Sequence, residues 1–417
     1  MKNKSICRRL LAAVLCVSML LGLTGCGQTQ STNLMKGVSP GAVADRTADD
    51  AFRAASADFA VRLFQQTRKE GQNNLISPLS VMLALAMTAN GAQGETRAQM
   101  AQLLGGSIPL ETLNEYLRTY LQSLPNGKKY KLDIANAIWF RDHELTVEKS
   151  FLQTNADYYN AAAYQSPFND QTCRDINEWV KKNTDGQINR IVDRIDPDDI
   201  MYLVNAVLFD ASWSTPYQKS AIHDAEFINA DGERQTVSMM YSDEAQYLSD
   251  GQATGFIKPY RGGYRFVALM PNEGVSLDQY VASLTGAELL RIIQSAQNVT
   301  VHAGLPQFTD DDQASLNDAL CALGMSQPFD STSADFSALG RTSSGEPIFI
   351  GEVLHKTHIE VDANGTKAAA VTVVGMEKGY SMPESHSVIL DRPFVYAIVD
   401  GATNLPIFIG TMAKIPE

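Results

Sequence analysis

The order of elements along the chain predicts an α+β fold built on mainly antiparallel sheets. Three observations carry this. Apolar residues recur at helical spacing through the first half, β-branched and aromatic runs dominate from residue 201, and no strand–helix–strand alternation links the two.

The elements follow in sequence. "DDAFRAASADFAVRLFQQTRKE" spaces Phe52, Phe59, Leu63 and Phe64 as an amphipathic helix. In "NNLISPLSVMLALAMTANGAQGET", Ser77 is placed to cap the first amides and Pro78 fits the first turn, with an end near Asn90-Gly91. "TRAQMAQLLG" and "LETLNEYLRTYLQSL" give two more helices, "YKLDIANAIWF" a strand, and "CRDINEWVKKNTDGQI" a helix closed by Asp185-Gly186. "MYLVNAVLFDASW", "FIKPYRGGYRFVALMP" and "VTVHAGLPQFTD" read as strands, followed by a helix at "DQASLNDALCALGM". The remainder is strand: "FIGEVLHKTHIEVDANG", then a run considered below, then a hairpin, "SVILDRPFVYAIVDGATNLPIFIGTM", turning at Asp400-Gly401 and Asn404.

The N-terminal residues read as a leader. Lys2 to Arg9 form a basic head, and "LLAAVLCVSMLLGL" is too short an apolar run for a comfortable span. It ends in "LTGC", which resembles a bacterial lipobox, so residues 1–25 are expected to be removed and Cys26 to carry lipid. An ordinary signal peptide with an incidental cysteine is the alternative. Residues 26–50 have the composition of a flexible tether. Net charge is −13, and losing Lys2, Lys4, Arg8 and Arg9 takes it to −17. Such acidity, with no basic run interleaved with aromatics, sets nucleic acid aside. Cys173 and Cys321 could form one disulfide.

Catalytic chemistry finds no foothold. The sequence holds no Gly-x-Ser-x-Gly elbow, no phosphate-cradling glycine loop and no His-Glu-x-x-His. Asp198-Asp199 and Asp310-Asp311-Asp312 read as solvated loops. His355 and His358, three apart on a strand, face opposite sides, so no metal site is expected. No cofactor is expected either.

Several blocks in order carry a family likeness. "NLISPLSVMLALAMTANGAQGETRAQM", "INEWVKKNTDGQINRIV", "LVNAVLFDASWSTPY", "HKTHIEVDANGTKAAAVT" and "DRPFVYAIVDGATNLPIFIGTM" resemble successive serpin signatures and span roughly residues 50 to 415. The resemblance implies one domain over 51–417, with three mainly antiparallel sheets, about nine helices and an exposed reactive-centre loop near 363–390. It implies a monomeric suicide inhibitor of serine proteases, and no enzyme. The protease serine would attack the loop and form an acyl ester, and the freed segment would enter the large sheet as a new strand before water cleaves that ester. The alternatives are a non-inhibitory serpin cleaved as a substrate or serving as a binding module, an inhibitor of cysteine proteases, and an unrelated lipoprotein enzyme.

"VDANGTKAAAVTVVGMEKGYSMPE", residues 361–384, suits that transfer. Gly365 supplies hinge freedom. Thr366 leads, Lys367 faces solvent, and Ala368, Ala369, Ala370 and Val371 are small enough to slide between strands. Roughly a dozen inserted residues, at about 1 kcal/mol per hydrogen bond plus apolar burial, yield on the order of 10 kcal/mol, so the uncut protein should be metastable. By position, Ser77, Ser80, Asn205 and His355 match the family's shutter, and Trp213 its breach. Ala363 and Lys367 stand where many inhibitory members have acids, so a salt bridge at the sheet's top is absent or replaced. Loop spacing offers Lys378-Gly379, Gly379-Tyr380 and Tyr380-Ser381 as scissile bonds, suiting trypsin-like, small-residue-preferring and chymotrypsin-like enzymes respectively. The expected partners are the target protease and, through the lipid, the outer face of a bacterial membrane.

Overall fold

A computed structural model describes residues 31–142, 145–366 and 385–416. Among these, nine α-helices surround sheets of seven, six and four strands, with a two-stranded ribbon at the margin. The α+β expectation holds, and helices do dominate the first half.

The opening helix α1 (Asp50–Thr67) starts where Asp49 accepts the Phe52 amide at 2.9 Å, and it buries Phe52, Phe59, Leu63 and Phe64 as the spacing predicts. The next helix, α2 (Pro78–Ala89), is buried on every side, which is what its continuous apolar sequence requires. It lies between the seven-stranded sheet and the strand Pro406–Met412 of the six-stranded sheet. Ser77 departs from expectation. It occupies the position before α2, but its hydroxyl makes no cap, and its backbone N–H donates instead to His355 Nε2 at 3.1 Å. Pro78, at the first helical position, has no N–H of its own to be satisfied.

The large sheet contains β1 (Thr32–Asn33), β2 (Tyr130–Arg141), β3 (Ala162–Ser166), β4 (Met201–Ser212), β5 (Phe308–Ser315), β6 (Glu352–Val361) and β7 (Gly365–Thr366), in the spatial order β1-β3-β2-β4-β7-β6-β5. Its pairings are antiparallel except β2 with β3 and the lower part of β4 with β6. The helix Asp170–Asn183, α3, lays Cys173, Ile176 and Val180 over Tyr202, Val204, Ala206 and Leu354 on the outer face.

Three expectations need correcting. The tether of residues 26–50 is laid on the body from Ser31 onward: β1 pairs with β3, Gly41 N–H donates to Asp157 at 2.7 Å, and Arg118 and Arg46 hold Asp45 and Glu115. Polar composition here serves specific hydrogen bonds. The helix read over "DQASLNDALCALGM" shrinks to Asn317–Ala322, because Asp312 to Ser315 continue β5 against β6. The acids of that run are no solvated loop. Asp310 is buried, accepts the Tyr396 hydroxyl at 2.7 Å, and burial pushes its carboxyl up to about 7. Asp312 accepts the Leu75 amide at 3.0 Å and is also raised by burial. Strand alternation turns these two inward and Asp311 outward, where it meets His358 at 2.7 Å.

Cys173 and Cys321 are free thiols, so the disulfide left open by the sequence is not formed. The hairpin Phe394–Asp400 and Pro406–Met412 turns as expected, with Asn404 at φ 65°.

Candidate functional site

The site lies between β4 and β6. At their lower ends these strands pair directly and in parallel, Glu352 opposite Tyr202 through Lys356 opposite Ala206. Above that they part, and neither Val207–Asp210 nor Thr357–Glu360 is paired across to the other. At the upper end β7 bridges them, with Thr366 opposite Ala211 on one side and Val361 on the other, antiparallel to both. The sheet is therefore closed below, split in the middle, and spanned at the top by the first residues of the 365–384 run.

Gly365 and Thr366 hold this bridge for identifiable reasons. A Cβ on Gly365 would lie 2.2 Å from Ala211 O and 2.7 Å from Ser212 Cα, so close approach to β4 demands glycine there. The Asp362 carboxylate accepts the Asn364 and Gly365 amides at 2.7 and 3.0 Å, which shapes the turn into β7. Thr366 is fully buried and faces inward as expected; its hydroxyl meets that of Tyr260 at 2.6 Å.

Trp213, which by position matches the family's breach, stands at the head of the split. Its backbone N–H donates to Asn364 O and its indole N–H to Asp362 O, both at 2.8 Å. Its ring stacks on Tyr260, with centroids 4.1 Å apart. Tyr217 adds a third hold through its amide to Ala363 O at 2.8 Å.

Below the split His355, Asn205, Ser80 and Asn136, with the Ser77 amide, form a network, as buried polar groups must. His355 Nε2 accepts from the Ser77 amide, so Nδ1 carries the proton and donates to Asn205 Oδ1 at 2.6 Å. The Asn205 amide nitrogen then donates to Ser80 Oγ and to Asn136 Oδ1. Burial drives the imidazole down to about 3 and keeps it neutral. Ser77 joins through its backbone alone, since its hydroxyl has no partner among the described residues.

The sequence reading missed Asn136, Tyr260 and Tyr217. Asn136 had a signal: in "IANAIWF" it shares the strand face of the inward Ile138, where an amide needs a partner. Tyr260, beside a turn, carried none. Lys367, Ala368, Ala369, Ala370 and Val371, the bond candidates Lys378, Gly379, Tyr380 and Ser381, and the lipidation residue Cys26 lie outside the described residues.

Comparison with known proteins agrees with this geometry. The family model Serpin (serine protease inhibitor) matches residues 54–415. A serpin-like protein of Thermococcus kodakarensis is 29% identical over 85% of this chain and 83% of its own length. Leukocyte elastase inhibitor A of Mus musculus is 28% identical over 87% of this chain and 98% of its own. Among solved structures, the thermophilic serpin tengpin in its native state matches with TM-score 0.90 and 46% identity, covering 93% of this chain and 100% of that one. Its latent state matches less closely, with TM-score 0.80 and 44% identity over 89% and 100%.

Proposed function

The chain belongs to the serpin family, and on that premise we propose that it is an irreversible suicide-substrate inhibitor of serine proteases. The observation that carries this is the split between β4 and β6, bridged at its top by Gly365–Thr366. A strand that has already begun to enter antiparallel to both neighbours has a continuation: Lys367 and the small residues after it, released by a cut, would fill the open stretch. The greater likeness to the native than to the latent state of the same relative supports reading this arrangement as the native one. Named inhibitors among the relatives support the activity.

The mechanism is a race. The target serine attacks one of the bonds Lys378-Gly379, Gly379-Tyr380 or Tyr380-Ser381 and forms an ester with the residue before the cut, releasing the amine of the next. Insertion then competes with water for that ester. Burying a new strand, on the order of 10 kcal/mol, supplies the force that drags the protease and distorts its site. The described residues contribute the starting point, the width of the slot and the polar network beneath it.

The test mixes the protein separately with trypsin, chymotrypsin and elastase. A covalent complex surviving SDS is the expected product with at least one of them, and mass spectrometry of the released fragment fixes the bond. Clean cleavage by all three without a complex would mean a substrate serpin instead. As part of the same proposal, lipid on Cys26 holds the domain at the outer face of a bacterial membrane. Cys26→Ala is then expected to move the protein from the membrane fraction to the medium.

A further inference from the structure

Lys258 is the unexpected residue behind the site. It lies on the strand Ala253–Pro259 next to the buried Phe256 and Ile257, with its own side chain 2% exposed. Its Nζ is 2.6 Å from Glu244 Oε1, and Glu244, 7% exposed, also accepts from Ser242 Oγ at 2.6 Å. The same ammonium stands 4.1 Å from the centroid of the Tyr217 ring and 5.4 Å from that of Trp213. Burial lowers the Lys258 pKa, and the Glu244 carboxylate opposes the fall. A buried ion pair is an expensive way to fill space that methionine and leucine could fill without partners. What it adds is direction, because it fixes both rings against one charged point.

Those rings belong to the residues that grip the turn Asp362–Gly365, through the Trp213 and Tyr217 amides and the Trp213 indole. On its other side the pair reaches the four-stranded sheet. Glu244 ends the strand Arg234–Glu244 opposite Val301, and the adjoining Thr300 pairs with Ser385, the first described residue after position 384. One ion pair thus joins the structure before residues 367–384 to the structure after them.

We propose that Lys258–Glu244 is a latch that positions Trp213 and Tyr217 on the Asp362–Gly365 turn and so sets how freely that turn releases for insertion. The functional consequence rests on the loop-insertion reading above; the latch itself does not. A latch and a mere packing element respond differently to two variants. Lys258→Met leaves Glu244 buried without its counter-charge, whereas Lys258→Met combined with Glu244→Leu replaces both by apolar groups. Asp278→Asn serves as control, since it breaks the partly buried Arg68–Asp278 pair, which touches neither aromatic ring.

The measurement is hydrogen exchange at the Trp213 and Tyr217 amides of the uncut full-length protein, alongside the urea midpoint. Both Lys258 variants are expected to exchange at these amides about tenfold faster or more. The urea midpoint should fall in the single variant and recover in the double, and Asp278→Asn should leave both amides at the wild-type rate. Exchange that recovers together with the midpoint in the double variant, or that is unchanged in both, overturns the latch. Failure of the inhibitor reading would show elsewhere, as wild-type protein that gives no SDS-stable complex.

Discussion

Tyr260 and Thr366 meet through their hydroxyls at 2.6 Å, fully buried, with the Trp213 ring stacked on the same tyrosine. This contact seats the second residue of β7 between β4 and β6. Tyr260→Phe leaves the Thr366 hydroxyl without that partner and is expected to cost about 1–3 kcal/mol. Adding Thr366→Val should recover most of the loss, and urea midpoints of the two variants check it.

Thr366→Arg is expected to turn inhibitor into substrate. The position is wholly enclosed, and a guanidinium placed there would be a buried charge in a site built around the Tyr260 hydroxyl. Cleavage should continue while the SDS-stable complex disappears. Undiminished complex formation would refute insertion through this point.

Asn205 is the hub of the buried polar network beneath the split, bonded to His355, Ser80 and Asn136. Asn205→Ala orphans groups on three different elements and is expected to cost about 3 kcal/mol or more. Ser77→Ala should be nearly neutral, since that hydroxyl makes no bond among the described residues. Chemical denaturation of the two variants compares them directly.

His355 and Asp310 pull the pH dependence in opposite directions. The imidazole falls from 6.5 to about 3, so between those values only the unfolded chain holds its proton, and stability is lost as pH falls. The carboxyl rises from 3.8 to about 7, so there the folded chain alone holds the proton, and stability is lost as pH rises. From about pH 4 to 6.5 the two slopes oppose each other, one proton against one. Asp310→Asn should uncover the histidine slope, so its urea midpoint climbs with pH across that window more steeply than in the wild type.

Cleavage in the loop is expected to raise the melting temperature, because the cut chain gains a strand. Calorimetry before and after limited proteolysis reads this directly. A cut form melting no higher would contradict the metastable uncut state.

Much of the fold could be read from local pattern. The spacing of Phe52, Phe59 and Phe64 located α1, and Asp400-Gly401 with Asn404 located the final turn, because each depends on neighbours in sequence. The inward direction of Thr366 was also legible, since alternation fixes faces once a strand is assumed. What failed was whatever depends on distant chain. Tyr260 is 106 residues from Thr366, and nothing local marks it as a partner. Three consecutive acids look like loop until β6 pairs alongside and turns Asp310 inward. The polar composition of residues 31–49 suited a tether equally well, because composition does not reveal which hydrogen bonds find partners.

The parallel ladder at the foot of β4 and β6 has its own consequence for any incoming chain. Continuing the alignment of Thr366, the residues through Ala370 would meet only the unjoined edges, but Val371 would arrive where Ala206 and Lys356 are already fastened together. From that threshold the seam must be unpicked pair by pair, beneath a helix whose Ile176 and Val180 are packed on Tyr202 and Val204. On the proposed insertion, travel through the sheet would therefore meet its resistance at half depth, where α3 lies over the seam.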